Sequence, residues 1–312
     1  ACTPGGTVIL VGPDPKEDLG ALFLRLRHAV VNDGTTLIEL TPTRTGLSTI
    51  AAHSLHPKPG EVDLLAAALV DAVSGDARDA AGVPADAIAA AAAAISGPVT
   101  VVLGRASVAE SAAVTVDAAI ALNRLEGVGF LSALRRGNVH GALDMGMAPG
   151  LLPGRVPLNA GCDAFDQVPT EVGMDTIAML EAAAAGDLDV LVLLGSDPLS
   201  DVPDADLAER GLAGAGTVIA VEMLPNASTL AHADLVLPAA APTEVDGTFT
   251  NLEGRVSVAE QKVTPPGTAR ADWMIAAELA LRLGADLGVE SPESIRAEIA
   301  AVSPVHAELT EA

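Results

Sequence analysis

Short apolar, β-branched runs alternate with longer runs of 3.6-residue period along most of the 312-residue chain. That alternation predicts strands joined by helical crossovers into parallel sheets. Strands are expected over 7–11, 35–40, 98–103, 188–194, 217–222 and 233–238. Helices are expected over 17–33, 61–75, 84–96, 107–126, 173–186, 203–212 and 270–284. Pro84 near a first turn, and Asp or Ser just ahead of several apolar faces, are ordinary helix-start chemistry. The apolar run 87–97 is too short and too rich in alanine to span a bilayer, so no direct membrane insertion is expected. Residues 137–161 form a Gly/Pro-rich stretch. A loop of that length in a compact domain is usually functional or docked on something.

The strands reveal an internal repeat. Residues 8–20 (VILVGPDPKEDLG) and 191–203 (LVLLGSDPLSDVP) each run from a strand into a G-x-D-P turn. Each is followed by a helix, a Gly-Thr pair, a second strand, a polar loop and a Pro-rich stretch ending in Glu-Val-Asp. Gly12 and Gly195 are separated by almost the same distance as Gly34 and Gly216. The expected architecture is therefore α/β, with two related Rossmann-like parallel-sheet domains carrying helices on both faces and related by a pseudo-two-fold axis. The first half-unit is placed at 1–96. The second, at 97–312, includes the 137–161 loop and the C-terminal helices. In open parallel sheets, ligands bind beyond the carboxyl ends of the strands.

Composition narrows the chemistry. Hydrophobic residues make up 50% of the chain but aromatics only 2%, and tyrosine is absent. Packing must then rest on close helix–sheet contact of Ala, Val and Leu. The formal charge of −24 repels nucleic acid and anionic lipid, and leaves a soluble surface or a docking face for a basic protein. Cys2 and Cys162 stand apart, as inert or structural thiols. Without a C-x-x-C or His/Cys cluster, this chain builds neither an iron–sulfur nor a zinc site. His53 and His56 are three residues apart but lack a third ligand nearby in sequence. No G-x-S-x-G elbow is present, and no catalytic residue is assigned. His140 and Asp144 face either one common site or solvent. The fragments 127–129 (GVG) and 211–216 (GLAGAG) fail as dinucleotide fingerprints: one lacks its third glycine, and the other precedes a strand.

Two groups of residues remain as candidate ligand contacts. In the G-x-D-P turns, Gly12 and Gly195 let a backbone approach a ligand. Asp14, Ser196 and Asp197 either meet that ligand or cap the next helix. The second group is the run 245–255 (VDGTFTNLEGR). There Asp246-Gly247 favours a tight turn, Thr248 adds a hydroxyl and Phe249 is an anchor. Asn251, Glu253, Gly254 and Arg255 present polar groups around a flexible glycine. Arg255 either serves a phosphate or pairs with Glu253 or Asp246. Residue types alone leave site and turn both open.

Residues 191–201 and 231–284, with their E-x-D-G-T-F-T-N-x-E-G-R run and P-P-G-x-A-R-x-D-W downstream, resemble the molybdopterin oxidoreductases. Residues 57–69 (PKPGEVDLLAAAL) are similar to the same family in the first half. The resemblance implies a formate dehydrogenase or DMSO reductase type of fold, in which two related middle domains hold the guanine ends of a bis-guanine-dinucleotide cofactor. Family members carry Asp before Pro-Arg after the second strand. This chain has Thr41 there, with Thr43 inserted before Arg44, and Met223 at the place assigned to the second copy. Both guanine pockets then look degraded. The loop 138–155 is similar to the branch formed by the large peripheral G subunits of NADH-quinone oxidoreductase, respiratory complex I. That branch implies a cofactor-free scaffold supporting electron transfer from NADH to quinone, not catalytic on its own. Iron–sulfur clusters would lie in an N-terminal part, ahead of Ala1. The implied partners are other peripheral-arm subunits, on the cytoplasmic side of the cell membrane, with no nucleic acid. The run 245–255 then becomes an inherited loop, with Asp246, Asn251, Glu253 and Arg255 bonded to each other and to backbone. Two alternatives stand beside this. One is a segment of a formate dehydrogenase or nitrate reductase type enzyme that binds molybdopterin guanine dinucleotide. The other is a free-standing nucleotide- or protein-binding module.

Overall fold

A computed structural model describes residues 3–107, 110–161, 165, 168–303 and 306–307. Cys2 and Cys162 lie outside the described residues. The chain divides into two compact units, Ala1–Arg136 and Gly137–Ala312.

The first unit is built on five strands: β1 (Thr7–Val11), β2 (Thr36–Leu40), β3 (His53–Leu55), β4 (Val99–Leu103) and β5 (Gly129–Ser132). They pair in the order β3-β2-β1-β4-β5, all in parallel. Its helices are α1 (Pro15–Asp18), α2 (Gly20–Asn32), α3 (Val62–Val73), α4 (Ala85–Ala93) and α5 (Ala112–Leu122). The helix expected over 17–33 is broken at Leu19, whose φ of −140° and ψ of 59° lie outside the helical region. Every residue of β1 is buried, and its side chains alternate between two cores. Ile9 and Val11 pack with Leu65, Leu69, Ile88 and Leu122 from α3, α4 and α5. Val8 and Leu10 pack with Leu26 of α2 on the other face. Helices thus cover both faces of this sheet, as expected for a buried parallel sheet.

The expected boundary at residue 96 is corrected by β4. It pairs with β1 through five successive residues, from Thr7↔Val99 to Val11↔Leu103, so the first unit extends to Arg136. The carboxyl ends of its strands are in close contact. Gly12 has φ 140°, and a Cβ there would lie 2.8 Å from the carbonyl carbon and oxygen of Gly104. Only glycine fits that approach.

In the second unit the stretch 137–161 is ordered local structure rather than open loop. It holds α6 (Val139–Asp144), the short antiparallel pair β6 (Leu151–Leu152) and β7 (Val156–Pro157), and 3-10 turns at Pro153–Arg155 and Leu158–Ala160. There follow α7 (Thr176–Ala184), β8 (Val190–Leu194), α8 (Pro198–Asp201), α9 (Ala205–Gly214), β9 (Thr217–Glu222), α10 (Ala227–His232) and β10 (Leu235–Pro238). The hairpin β11 (Gly247–Thr250) and β12 (Val256–Ala259) and the helices α11 (Asp272–Arg282) and α12 (Pro292–Val302) complete it. The parallel sheet has the order β10-β9-β8. Leu191, Leu193, Val218 and Ala220 pack with Leu180 of α7 and Leu207 and Leu212 of α9. The glycines at 211 and 214 let α9 press on α7, since a Cβ at either would meet the carbonyl oxygen of Leu180 or Ala183 at 2.8 or 2.3 Å.

The alternate side chains of β8 point to a face left open: Val190, Val192 and Leu194 are 49%, 47% and 61% exposed. Helices on both faces therefore describe the first sheet but not the second. Among the described residues, no helix is long and apolar enough to cross a membrane.

Replacing Gly12 with Ala should destabilise the first unit by about 2 kcal/mol or more, since it combines overpacking with an unfavourable φ. Urea unfolding followed by circular dichroism checks this, and an unchanged midpoint would contradict the packing described.

Candidate functional site

The turns after β1 in the first unit and after β8 in the second carry the G-x-D-P residues singled out in sequence, beside the segments that follow β2 and β9. Asp14 Oδ1 accepts the backbone N–H of Lys16 at 2.9 Å, capping α1, and Oδ2 accepts the N–H of Gly46 at 2.8 Å. Asp197 Oδ1 accepts both the N–H of Ser228 at 3.0 Å and its hydroxyl, while Oδ2 accepts the Ser200 hydroxyl at 2.7 Å. Each aspartate thus joins the turn after its unit's first repeat strand to the segment after the second. The Ser228 hydroxyl, followed by that of Ser200, holds the Asp197 carboxyl below the usual carboxylate range, against a smaller opposing effect of burial. Gly195 has φ 55° with open space around it, in contrast to the packed Gly12.

Strand register changes the pairing of the two copies. Thr7 pairs with Thr36, and Val190 with Thr217; Leu10 pairs with Glu39, and Leu193 with Ala220. Because an extra residue, Thr35, follows Gly34, the position equivalent to Thr41 is Glu222, not Met223. Met223 is 51% exposed, whereas Glu222 is 9% exposed. Glu222 Oε1 accepts the N–H of Ser196 at 2.8 Å and the Asn226 side-chain amide at 3.0 Å. Its Oε2 has no hydrogen-bond partner among the described residues. Asn226 also donates to the Ser196 carbonyl and accepts from Thr229 N–H, capping α10.

The first unit presents different chemistry at that level. Thr41 is 1% exposed; its hydroxyl donates to the Thr43 carbonyl and its own carbonyl meets His56 Nδ1 at 2.9 Å. Glu39 lies two residues earlier and is fully buried. Its two oxygens accept the hydroxyls of Thr45 and Ser54.

The run 245–255 supplies the first strand and the turn of a β-hairpin, paired from Gly247↔Ala259 to Thr250↔Val256. Thr248 lies within β11, and Phe249 is 42% exposed rather than anchored. Asn251 Oδ1 accepts the N–H groups of Glu253 and Arg255, both at 2.9 Å, and Gly254 turns the chain with φ 78°. Asp246 Oδ1 accepts Gln261 N–H at 2.8 Å. The expected mutual bonding therefore holds for Asp246 and Asn251 toward backbone. It does not extend to the side chains of Glu253 and Arg255, which have no ionic or hydrogen-bonded partner among the described residues. The hairpin is held to α6 by Asn138, which adopts φ 62° and accepts Thr250 N–H at 2.8 Å.

His140 and Asp144 are brought together through Arg155. Its Nε donates to Asp144 Oδ1, and its terminal nitrogen contacts His140 Nδ1 at 2.8 Å and donates to the His140 carbonyl at 3.2 Å. Asp144 Oδ2 also lies 3.5 Å from His306 Nε2, and His306 Nδ1 meets Ser303 Oγ at 2.9 Å. Ser303 is fully buried and Asp144 and His306 nearly so, so this Asp–His–Ser row lies inside the unit. It clamps the start of the unit to its C-terminal end. Among the described residues no cluster of three His, Cys, Asp or Glu side chains is arranged to hold a metal.

The model of the molybdopterin oxidoreductases matches residues 5–282. The chain belongs to the molybdopterin oxidoreductase family. Among its relatives, the alpha subunit of NADPH-Fe(3+) oxidoreductase from Geobacter sulfurreducens is 30% identical, across 96% of this chain and 40% of that protein. The G subunit of NADH-quinone oxidoreductase from Streptomyces coelicolor is 32% identical, across 94% of this chain and 35% of that protein. The chain therefore spans two fifths or less of the length of these curated relatives. Acetylene hydratase from Pelobacter acetylenicus shares the fold, with a TM-score of 0.66 at 17% identity, over 91% of this chain and 48% of that one.

The guanine-bearing cofactor that the family resemblance implies would meet different side chains in the two units. Purine edge N–H groups are met best by a carboxylate with both oxygens available. The first unit offers none at that position: Thr41 spends its hydroxyl on Thr43, and Glu39 is sealed. The second unit offers Glu222 Oε2. Sequence reasoning missed Glu222, Asn226 and Ser228. The Asp-Pro turn and the Asn at a helix start are visible in sequence, but the partnership of the turn with Glu222, Asn226 and Ser228, across 26 to 31 positions, is not.

Two tests follow. A carboxyl whose folded pKa is lowered contributes stability above its unfolded value and loses it as pH falls through the folded one. The urea-midpoint gap between wild type and Asp197→Asn should be constant at neutral pH. It should narrow once pH falls below the ordinary carboxyl value of 3.8; a gap that widens there contradicts the assignment. In the hairpin, Asn251→Ala should cost about 0.5–1.5 kcal/mol by removing the side-chain acceptor that shapes the turn. Arg255→Ala should stay within about 0.5 kcal/mol of wild type in the same unfolding measurement.

Proposed function

We propose that this chain is the molybdopterin-type scaffold segment of the G subunit of an NADH-quinone oxidoreductase, supporting electron transfer from NADH to quinone. In this reading it docks other peripheral-arm subunits on the cytoplasmic side of the membrane. Iron–sulfur clusters reside in the N-terminal part of the full-length protein, and this segment carries no redox centre and performs no catalysis of its own.

The observation that carries the reading is the open face of the second sheet. Parallel sheets are ordinarily covered on both faces. Here Val190, Val192 and Leu194 on β8 and Leu235, in register with Val192 through Ile219, on β10 are each 46% exposed or more, an apolar surface suited to further polypeptide. The candidate ligand contacts support it independently. Asp14, Asp197 and Asn251 direct their side-chain oxygens at the protein's own groups. Thr41 supplies no carboxylate for a guanine edge.

One observation favours a second reading, a cofactor-binding segment of formate dehydrogenase or nitrate reductase type. Glu222 stands in register with Thr41 and keeps one carboxylate oxygen without a protein partner among the described residues. In that case the second unit would hold one guanine end of molybdopterin guanine dinucleotide.

Metal and pterin analysis of the purified full-length protein separates the two. The scaffold reading expects iron without molybdenum or tungsten, and no guanine nucleotide released on acid denaturation. Stoichiometric molybdenum or tungsten with guanine nucleotide would sink it and support the second.

A further inference from the structure

The second unit holds a cleft of about 360 Å³ where the segment after β10, the base of the hairpin and the start of α11 come together. Two backbone hydrogen bonds join its walls. Arg270 N–H donates to the Pro238 carbonyl at 3.2 Å, and Ala240 N–H donates to the Arg270 carbonyl at 2.8 Å. Trp273, the one tryptophan of the chain, lines the cleft beside Met274, and Pro292 from the first turn of α12 adds to the wall. Glu244 and Asp246 supply its carboxylates.

Each carboxylate is half used. Glu244 Oε2 accepts Ala241 N–H and Asp246 Oδ1 accepts Gln261 N–H, both at 2.8 Å. Those bonds fix the two side chains to the wall. Neither Glu244 Oε1 nor Asp246 Oδ2 has a hydrogen-bond partner among the described residues. Arg270 also lines the cleft, but its guanidinium is paired with Glu278, which Arg282 engages as well. Lys262, nearby in sequence, is paired with Glu260. The first turns of α11 and α12 carry Asp272 and Glu293, so acids of their own answer the positive ends of both helices. Among the described residues, no cation is therefore paired with either Glu244 or Asp246.

An indole face attracts cations through its quadrupole and packs well on hydrocarbon. A metal ion would leave that ring unused, and among the described residues no three His, Cys, Asp or Glu side chains are arranged to hold one. The volume falls within the range of small-ligand pockets. We propose that this cleft binds a small organic cation, an aliphatic amine whose ammonium meets Glu244 and Asp246 and whose carbon chain lies along Trp273 and Met274. The site shares no residue with the cluster around Glu222, and it does not depend on the scaffold reading.

With one tryptophan and no tyrosine in the chain, fluorescence reports on Trp273 directly. Titrating the full chain with putrescine at about 0.15 M salt, where distant exposed charges are screened, should give a saturable change in that emission. Butanediol, similar in length and uncharged, should give none. Glu244→Gln/Asp246→Asn keeps an acceptor toward Ala241 and Gln261 but removes both charges. It should weaken putrescine binding by about tenfold or more, the scale of a lost charge-assisted contact. Glu126→Gln/Asp187→Asn removes two exposed charges elsewhere and should bind within about twofold of wild type. Should the cleft double variant lose its far-UV circular dichroism, Glu244→Gln and Asp246→Asn are tested singly, each expected to bind several-fold more weakly. The proposal is overturned if wild-type protein gives no saturable response, or responds equally to butanediol. Equal affinity of a folded cleft variant, or equal weakening by the Glu126 and Asp187 pair, also overturns it.

Discussion

A carboxylate in the first crossover turn governs how the strand ends of each unit are arranged. A carboxylate there is costly to leave without donors, and backbone N–H groups are equally costly to leave without acceptors. Asp14 and Asp197 resolve both demands at once, through Gly46 N–H and Ser228 N–H. The turn after one strand is thereby fixed to the segment after its neighbour. Glu222 and Asn226 are positioned by the same arrangement, because Ser196, the residue before Asp197, donates its N–H to Glu222. Two sequence-distant copies keep the strap while their neighbouring side chains differ. The strap is therefore a folding requirement of this α/β unit, whatever either unit binds.

What the chain makes legible follows from local physics. The six expected strands exist because five-residue β-branched runs favour a buried parallel sheet, and the repeat carries the same strand–turn–helix order twice. β3 and β5 leave no such signal: His53–Leu55 and Gly129–Ser132 are too short for a hydrophobic period to stand out. Without β5, the run 98–103 looks like the start of the second half, although its strand in fact completes the first sheet. α12, which is not among the expected helices, carries a start signal of its own: Ser291 with Pro292 and a reciprocal bond to Ser294.

The site is less legible than the fold, for a geometric reason. A one-residue insertion, Thr35, moves every later side chain relative to an ungapped comparison of the copies, and only ladder register reveals it. That shift exchanges an exposed thioether for a buried carboxylate as the partner of Thr41. Asn138 shows the complementary difficulty. Its residue type suggests a turn, which its left-handed φ satisfies, yet its acceptor holds a backbone 112 positions away. Contacts of that range leave no periodic trace in sequence.

The two units also treat burial differently, and this bears on what each is free to do. In the first, apolar side chains from both faces of β1 enter closed cores, so new contacts fall to its strand-end loops. In the second, half of β8 is uncovered. An apolar face of this kind raises the free energy of the isolated unit by leaving hydrocarbon in water, at about 25 cal/mol for each Å². Any group that removed that surface from solvent would recover the cost. Electrostatics acts alongside: a chain of charge −24 repels copies of itself. The two sheets thus differ in which surfaces they leave unfilled, strand-end loops in one and an apolar face in the other.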